Sequence, residues 1–290
     1  MNKYAIIDVG SNSVRLLLVD NNSFVSKNVI TTRLAEGLCF SSMLSEDAIS
    51  RTVQAIEFFY MKAMQFNANV IHILATEAVR SAKNSNVFIS LLAKKGLPIS
   101  ILSPEEEAFF GFKGVATSLG MEGVLDVGGA STELTVADSG NIIYSKSIPI
   151  GIVKLKNQIS GSFNEILSFL APFLSPFKEA PKMDVVYGIG GSATLFAGIL
   201  QNLAVYQRNK VDNYKIHKSK LFDCLNFISS LPEDQLSSIK GLPKEREDIA
   251  IYGGSFLYCV MDMFNLSTLI AKDRDGMEGF IEENYHICIN

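Results

Sequence analysis

Short apolar runs separated by polar turns open the chain. Residues 5–9 and 14–20 are two such runs, and the Gly-Ser-Asn-Ser between them is typical of a hairpin turn. A third strand is predicted at 25–31, where three of the seven residues are the apolar, β-branched Val25, Val29 and Ile30. The first thirty residues therefore predict three consecutive β-strands.

The apolar spacing changes to three and four residues after Ser45. Ile49, Val53 and Ile56 fall on one helical face and Ser45 is a good N-cap, so we predict a helix over 45–64. The elements predicted next are a strand at 70–75, a helix at 86–95 and a strand at 99–102.

Another helix start follows at Ser103-Pro104-Glu105-Glu106. Ser103 suits the N-cap, Pro104 suits the first helical position, and Glu106 completes a capping box. Because the capping box uses Glu106, the neighbouring Glu107 is left to point elsewhere. We predict that this helix runs to about Leu119.

The pattern of the opening strands then occurs a second time. Asp8–Asp20 and Asp126–Asp138 align without gaps, and six of the thirteen positions are identical: Asp, Val, Gly, Ser, Leu and Asp. Strands are predicted at 124–127, 132–137 and 142–148. Agreement through the turn without gaps indicates a duplication.

Length and the duplication together predict two domains, because about 150 residues form a typical domain and the chain has 290. We expect the domains at 1–119 and 120–290, with the terminal helix a candidate to pack back on the first. The other elements predicted for the second domain are a loop at 171–182, a strand at 184–189, a helix at 192–200, a mostly helical polar segment at 204–248, an apolar helix at 248–264, a strand at 269–271 and a helix from Glu278.

Composition narrows the class of protein. Hydrophobic residues make up 48% and charged residues 19%, which is ordinary for a globular protein with a sizeable core. The net charge of −4 argues against a nucleic-acid partner, and no apolar run is long enough for a membrane helix. The N-terminus has no secretory apolar region, so we expect a cytoplasmic protein. The four widely spaced cysteines argue against a zinc site or a disulfide framework.

Three glycine turns carry the candidate chemistry: residues 10–13, 128–131 and 188–192. A tight glycine turn after a strand aims backbone amides at one point and can bind phosphate. Asp8 and Asp126 each precede such a turn, where a bare carboxylate would repel phosphate. A hard cation such as Mg²⁺ resolves that conflict, so the turns predict a site for phosphate and Mg²⁺.

The two copies differ at one charged position, where Arg15 stands in the first and Glu133 in the second. This difference suits a cleft in which one residue contacts phosphate and the other contacts the metal or water. The alternatives are a turn with a capping aspartate and a solvated residue at a strand edge. Two copies in register, together with GIGGS, favour the functional interpretation.

The motifs DVGSNSVRLLL, ATEAVR, SPEEEAFFGFKGV, DVGGASTEL, IPIGIVKL and GIGGSATL occur here in the order found in the exopolyphosphatase/guanosine-pentaphosphatase (Ppx/GppA) phosphatases. The chain resembles that family from Tyr4 to about Gly279. The resemblance implies an α/β fold of two related RNase H-like domains, of the actin and sugar-kinase type, that face each other across a central cleft.

The resemblance also implies an activity. Family members hydrolyse the terminal phosphoanhydride of inorganic polyphosphate or of pppGpp with Mg²⁺, and Mn²⁺ is a second candidate cofactor. Family members are frequently dimers, so we expect a homodimer. The chain ends where long members continue into a helical region, so it looks like a short form.

The resemblance assigns roles to individual residues. Glu107, directly before alanine in the EEA motif, matches the catalytic glutamate that activates water, and Glu133 holds the metal or assists with the water. The metal ligands are then Asp8, Asp126 and Glu133. The residues predicted to bind phosphate are Gly10, Ser11, Asn12, Ser13, Arg15, Arg80, Gly128, Gly129, Ala130, Ser131, Thr132, Gly190, Gly191 and Ser192, with Lys154 as a weaker candidate.

The sequence departs from the family pattern at two places. Met277 stands where the family often has an arginine that reaches the substrate, and Arg274 is a candidate replacement. Ala130 stands where a third glycine is usual in the second turn. Exopolyphosphatase is our first interpretation. A pppGpp phosphatase, a phosphotransferase and a non-catalytic sensor of polyphosphate or an alarmone remain alternatives, and Arg80 can also form an ion pair with Glu77.

Overall fold

The fold is that of a computed structural model, which describes residues 2–117 and 119–289. It divides into two compact units. Unit 1 comprises Met1–Gly114 and Gly276–Asn290, and unit 2 comprises Val115–Asp275. The division therefore falls after Gly114 and again after Asp275, whereas the sequence predicted one boundary at 119/120. None of the helices in the described residues is both long and apolar enough to cross a membrane.

Unit 1 is built around a five-stranded sheet with the order β3-β2-β1-β4-β5. β2 lies antiparallel to β1 and β3, whereas β4 and β5 continue parallel to β1. Its elements up to Gly114 are β1 (Lys3–Val9), β2 (Ser13–Asp20), β3 (Ser23–Thr31), α1 (Leu38–Ser41), α2 (Glu46–Gln65), β4 (Val70–Ala75), α3 (Glu77–Ser81), α4 (Ser85–Lys94), β5 (Ser100–Ile101) and α5 (Pro104–Lys113).

Unit 2 has a six-stranded sheet, which read from β8 has the order β8-β7-β6-β9-β11-β10. Its elements are β6 (Met121–Val127), β7 (Thr132–Asp138), β8 (Asn141–Ile148), α6 (Ile152–Gln158), α7 (Phe163–Leu170), β9 (Val185–Ile189), α8 (Gly190–Leu200), α9 (Arg208–Val211), β10 (Lys215–His217), α10 (Lys218–Ser230), α11 (Ala250–Met263) and β11 (Thr268–Ala271). Short 3₁₀ helices lie at Ser175–Glu179, Glu233–Ser238 and Lys244–Arg246.

Both sheets share one topology. In each, three consecutive antiparallel strands are followed by two strands parallel to the first, and unit 2 adds β10 at the edge. This order is that of RNase H-like domains, from which proteins of the actin and sugar-kinase type are built. The predicted fold class of two related α/β domains is confirmed.

The duplication extends to the details of the two hairpins. Asp8 lies opposite Arg15 in the first hairpin, and Asp126 lies opposite Glu133 in the second. The second and third strands also shift register at the same place, between Leu18 and Val19 in unit 1 and between Val136 and Ala137 in unit 2. A shared irregularity of this kind is typical of duplicated strands, because bulges persist within families.

The last helix, α12 (Gly276–Tyr285), belongs to unit 1 and packs on α5. The two helices cross at very short range, because a Cβ at Gly279 would lie 1.9 Å from the carbonyl oxygen of Phe110. His72 on β4 shares a 2.6 Å hydrogen bond with the hydroxyl of Tyr285, and its ring packs edge-on to Phe280. Aromatic contacts therefore hold the end of the chain to the first sheet.

Two predicted elements differ from the structure, and a third agrees with it. The helix from Pro104 ends at Lys113, with Gly114 as its C-cap, and does not reach 119. Ser118, inside the predicted helix, lies outside the described residues. The segment 204–248 contains strand β10 as well as helices, because that strand completes the edge of the second sheet. The apolar helix predicted at 248–264 is α11, which packs in the core of unit 2.

The second glycine turn is supported from behind by the start of α6. The amides of Ile152 and Val153 donate to the carbonyls of Gly128 and Gly129 at 2.9 and 2.8 Å. A Cβ at Gly151 would lie 2.4 Å from the Gly128 oxygen, so only glycine permits this approach. The PIGI motif thus has a structural reason, which is to bring a helix start against the turn.

We predict that Gly151→Ala destabilises the fold, because the added methyl must push the turn away. Overpacking of this kind typically costs about 1–3 kcal/mol of the free energy of unfolding. The matched control is Gly198→Ala in α8, whose Cβ would meet only Gly241 at 3.9 Å. There alanine should stabilise the helix by about 0.5–1 kcal/mol. Urea unfolding measures both, and an unchanged midpoint for Gly151→Ala would contradict the tight contact.

We predict that His72 makes stability fall in mild acid. Burial lowers the pKa of His72 below its ordinary value of 6.5, so the unfolded chain binds its proton more readily than the folded chain. The contribution is present above about pH 6.5 and is lost as pH falls through the folded value. Urea unfolding at pH 7.5 and 5.5 should show a smaller loss for His72→Asn than for the wild type. His217→Asn, at an exposed position, should behave like the wild type. Equal losses in all three proteins would contradict the prediction.

Candidate active site

The first glycine turn joins β1 to β2, and the Gly10 amide donates to the Ser13 carbonyl at 3.0 Å. The segment after β3 holds the turn from behind. The amides of Thr32 and Arg33 donate to the carbonyl of Asn12, and the amide of Ala35 donates to that of Ser11. The turn's carbonyls are therefore committed within unit 1.

The second glycine turn has the same construction in unit 2. Gly128 donates to Ser131 at 3.0 Å, the same distance as in the first turn, and the segment after β8 supplies the supporting amides of α6. Ala130 is buried, with 1% of its surface exposed, so its methyl group packs inward. The hydroxyl of Thr132 donates to the Ile150 carbonyl at 2.8 Å, so this predicted phosphate ligand is used by the scaffold.

The backbone amides at the tips of both turns differ from the carbonyls in their hydrogen bonding. Among the described residues, no backbone carbonyl accepts from the amides of Ser11, Asn12, Gly129 or Ala130. Turns whose carbonyls are used and whose amides are not can bind an anion. This arrangement agrees with the phosphate-binding role predicted for the two turns.

The charged pairs beside the two turns differ in sign. In unit 1, Arg15 donates from Nε and Nη2 to the same oxygen of Asp8, at 2.9 and 2.6 Å. The predicted metal ligand and the predicted phosphate ligand are thus brought together in one ion pair. Because the guanidinium already neutralises the carboxylate, the electrostatic demand for a cation at Asp8 is reduced.

In unit 2 the corresponding positions carry two carboxylates. Asp126 and Glu133 are directly opposite each other across β6 and β7, so their side chains leave the same face of the sheet. Glu133 is buried and accepts a 2.6 Å hydrogen bond from the hydroxyl of Ser147 on β8. Asp126 lies against the third turn, where a Cβ at Gly190 would be 2.8 Å from its Oδ1. Like charges that face each other repel, and a cation between them would offset the repulsion.

The donor chemistry at Asp126 and Glu133 fits Mg²⁺. Within residues 2–117 and 119–289, no group of three or more His, Cys, Asp or Glu side chains could hold a metal ion. Mg²⁺ does not require such a group, because it usually binds through one or two carboxylates, keeps several waters and completes its shell with substrate phosphates. Mn²⁺ accepts the same oxygen ligands.

Burial raises the pKa of the Cys224 and Cys259 thiols to about 11 and about 12, so these sulfurs are poor metal ligands near neutral pH.

The third glycine turn forms the N-terminus of α8. Gly190 takes a left-handed conformation with φ of 75°, and the guanidinium of Arg246 lies against Gly191 and donates to its carbonyl at 2.8 Å. Ser192 is buried, and its hydroxyl lies against Gly253 of α11 with no hydrogen-bond partner among the described residues. The turn thus combines a helix N-terminus with a basic side chain, which favours an anion.

The predicted catalytic glutamate lies at the start of α5 in unit 1. The capping box forms as predicted, with Ser103 accepting from the Glu106 amide and Glu106 accepting from the Ser103 amide. Glu107 instead lies 3.3 Å from Nη1 of Arg80. Arg80 also makes a 2.8 Å ion pair with Glu77, which was the alternative left open by the sequence. The structure therefore brings Glu77, Arg80 and Glu107 into one cluster.

The structure shows the environment of Met277, which departs from the family pattern, and of the two further candidate residues Arg274 and Lys154. Met277 is 2% exposed and packs with Tyr4, Ile6 and Leu17 in an apolar cluster of unit 1, which suits methionine. Arg274, its candidate replacement, belongs to unit 2. Lys154 lies in the first turn of α6, where its ammonium is 3.3 Å from the Pro149 carbonyl.

Sequence reasoning missed two polar residues that contact the predicted site and named a third only as an alternative ion-pair partner. Ser147 could have been found by continuing the hairpin register, since it stands opposite Glu133 on the next strand. Arg246 reaches Gly191 from 55 residues along the chain, and no local pattern marks it. Glu77 was predicted only as an alternative partner of Arg80; it lies three residues before Arg80 on α3, a spacing that brings helical side chains together.

Comparison with known proteins finds relatives that match nearly the whole of this chain. The chain is 27% identical to the bifunctional 3-dehydroquinate synthase/phosphatase of Fusobacterium nucleatum, over 96% of this chain and 46% of that protein. It is 26% identical to a putative exopolyphosphatase of Haemophilus influenzae, over 98% and 93%. It is 29% identical to the guanosine-5'-triphosphate,3'-diphosphate pyrophosphatase of Vibrio cholerae, over 97% and 59%. The chain thus spans about half the length of the first and third of these relatives.

A solved structure and a family model agree with these relatives. The crystal structure of the Ppx/GppA family member of Aquifex aeolicus matches with a TM-score of 0.81, over 98% of each chain and at 24% identity, which establishes the fold. The model of the Ppx/GppA phosphatase family matches residues 17–286. The chain therefore belongs to the Ppx/GppA phosphatase family, a family of phosphoanhydride hydrolases.

Proposed function

We propose that this protein is an exopolyphosphatase, which releases the terminal phosphate of inorganic polyphosphate by attack of water with the assistance of Mg²⁺. The observation that carries the proposal is the pairing of Asp126 with Glu133 beside the second glycine turn. A duplicated hairpin that needed only a stable turn would have no reason to replace the neutralising arginine of the first copy with a second carboxylate.

The residues of unit 2 hold the substrate end and the cation. Asp126 and Glu133 bind Mg²⁺, with Ser147 fixing the orientation of Glu133 through its hydrogen bond. The amides of Gly129 and Ala130 receive phosphate oxygens, and Arg246 adds a positive charge at the third turn. Mg²⁺, when bound, supplies charge neutralisation for the phosphate oxygens.

The residues of unit 1 activate the water and bind further phosphates. Glu107 accepts the proton of the attacking water, a role that requires an ionised carboxylate within hydrogen-bond reach. The guanidinium of Arg80 lies beside it, with Nη1 3.3 Å from its carboxylate. The amides of Ser11 and Asn12 bind phosphate oxygens in the first turn.

Polyphosphate is proposed over a guanosine polyphosphate because the phosphate-binding parts of the site are legible in the sequence and a base-recognition part is not. Relatives of both kinds match the chain, the putative exopolyphosphatase of Haemophilus influenzae at 26% identity and the pyrophosphatase of Vibrio cholerae at 29%. The phosphate-binding turns suit either substrate, because both present a phosphoanhydride chain. A homodimer and a cytoplasmic location stay predictions of the sequence.

We predict that Glu107→Gln abolishes turnover and leaves binding intact, because the amide keeps the shape of the side chain and cannot accept the proton. Loss of a general base typically lowers kcat by about 10²–10⁴. The control is Glu105→Gln, an exposed position on the same helix turn, which should keep full activity. Phosphate release from polyphosphate gives kcat, and calorimetric titration gives affinity. An unchanged rate for Glu107→Gln would remove this residue from the mechanism.

We predict that Asp126→Asn raises the Mg²⁺ concentration needed for half-maximal phosphate release, on the order of tenfold, because one anionic ligand is lost. Asp138→Asn is the matched control, since Asp138 is exposed at the opposite end of the same hairpin. If the Mg²⁺ titration of Asp126→Asn overlays that of the wild type, the aspartate has a structural role only.

A further inference from the structure

The guanidinium of Arg80 is shared unequally among three acceptors of unit 1. Nη1 donates to the Leu102 carbonyl at 2.5 Å, and Nη2 donates to Glu77 Oε2 at 2.8 Å. Both nitrogens also face Glu107 Oε2, at the longer distances of 3.3 and 3.4 Å. Ordinary N–H···O hydrogen bonds fall at 2.7–3.2 Å, so Glu107 is the loosely held partner.

The number of N–H donors on Arg80 limits what else this edge of the guanidinium can bind. Nη1 and Nη2 carry two hydrogens each, and the contacts with Leu102, Glu77 and Glu107 use the directions of all four. A phosphate oxygen that binds to this edge of Arg80 must therefore displace one of the three acceptors. The longest contacts are those to Glu107, so a phosphate oxygen would displace the carboxylate that the proposed function needs for water.

The side chains of this cluster are partly buried, so the ion pairs among them are stronger than those of exposed residues. The side chains of Glu77, Arg80 and Glu107 are 15%, 21% and 17% exposed. Partly buried charges are screened less by solvent than surface pairs, so the positions of the two carboxylates decide where the guanidinium points. Arg80 lies on α3 and Glu107 on α5, so the guanidinium also links the two elements.

We propose that Glu77 is a positioning residue of the phosphatase reaction. It acts through Arg80, which it anchors together with the Leu102 carbonyl. So anchored, Arg80 offers its Glu107-facing edge to a substrate phosphate, which takes the place of Glu107 on the guanidinium. This inference rests on the proposed function of the same site, and it assigns a role to a carboxylate that is neither the base nor a metal ligand.

Without Glu77 the guanidinium keeps Glu107 as its carboxylate partner among the described residues. It then pairs with Glu107 at full strength, which withdraws the base from water and the arginine from phosphate. The structural alternative is a helical i,i+3 ion pair that only supports α3. The structural account predicts a lower thermal stability with kcat/KM and the tripolyphosphate Kd unchanged, whereas the positioning account predicts that both of these quantities change when Arg80 is present.

The test is a double-mutant cycle of Glu77→Gln and Arg80→Ala, measured as phosphate release from polyphosphate with Mg²⁺ and as the Kd for tripolyphosphate. We expect Glu77→Gln to lower kcat/KM about tenfold, equal to about 1.4 kcal/mol, when Arg80 is present. The Kd should rise about fivefold in that background. In the Arg80→Ala background the same change should alter neither quantity, because no guanidinium is left to collapse on Glu107.

Two further variants serve as controls. Glu105→Gln removes an exposed carboxylate of α5 and should match the wild type. Glu77→Asp keeps the charge and should recover at least part of the activity, and it replaces Glu77→Gln if thermal unfolding shows that the latter is unfolded. An equal loss in both Arg80 backgrounds, or wild-type behaviour of Glu77→Gln, overturns the inference. A wild type that releases no phosphate overturns the proposed function instead, and the tripolyphosphate affinities then still decide whether Glu77 acts through Arg80.

Discussion

The hydrogen bonding of the glycine-turn carbonyls is the constraint on which the candidate site depends. Each turn closes on itself through one bond, from Gly10 to Ser13 or from Gly128 to Ser131. Each is then supported by amides from the segment that follows the third strand of its own sheet. The carbonyls are used in this way, whereas no backbone carbonyl of the described residues accepts from the tip amides, which can therefore bind an anion. A turn without that support could bend, and its carbonyls would compete for the same space.

The duplication explains why the two halves of the protein differ in chemistry. The same hairpin with the same register carries Asp8 opposite Arg15 in unit 1 and Asp126 opposite Glu133 in unit 2. One substitution at an equivalent position changes a neutralised carboxylate into a pair that attracts a cation. Unit 1 is then suited to phosphate and to the base on α5, whereas unit 2 is suited to phosphate and Mg²⁺. The account assigns the cation to Asp126 and Glu133, and it leaves Asp8 to hold Arg15.

Much of this was predictable from local sequence. The hairpins, the capping box at Ser103 and the duplication follow from periodicity and from turn residues, whose preferences act over a few positions. The end of α5 was predicted too late, because the apolar residues after Gly114 continue a helical pattern while the chain leaves unit 1. Strand β10 was missed because three residues carry little pattern and its pairing with β11 joins positions far apart in the sequence. The same limit hid Arg246, whose contact with Gly191 exists only after the chain has folded. The allocation of Arg80 among three acceptors was likewise beyond the sequence, because distances of 2.8 and 3.3 Å decide it.

The central claim is that the two glycine turns and the Asp126–Glu133 pair serve the hydrolysis of polyphosphate. The most direct measurement is phosphate release from medium-chain polyphosphate and from pppGpp in parallel, each with and without Mg²⁺. The account predicts release from polyphosphate that requires Mg²⁺. Release from pppGpp alone would contradict the substrate assignment, and binding without release from either substrate would contradict the chemistry assigned to the site.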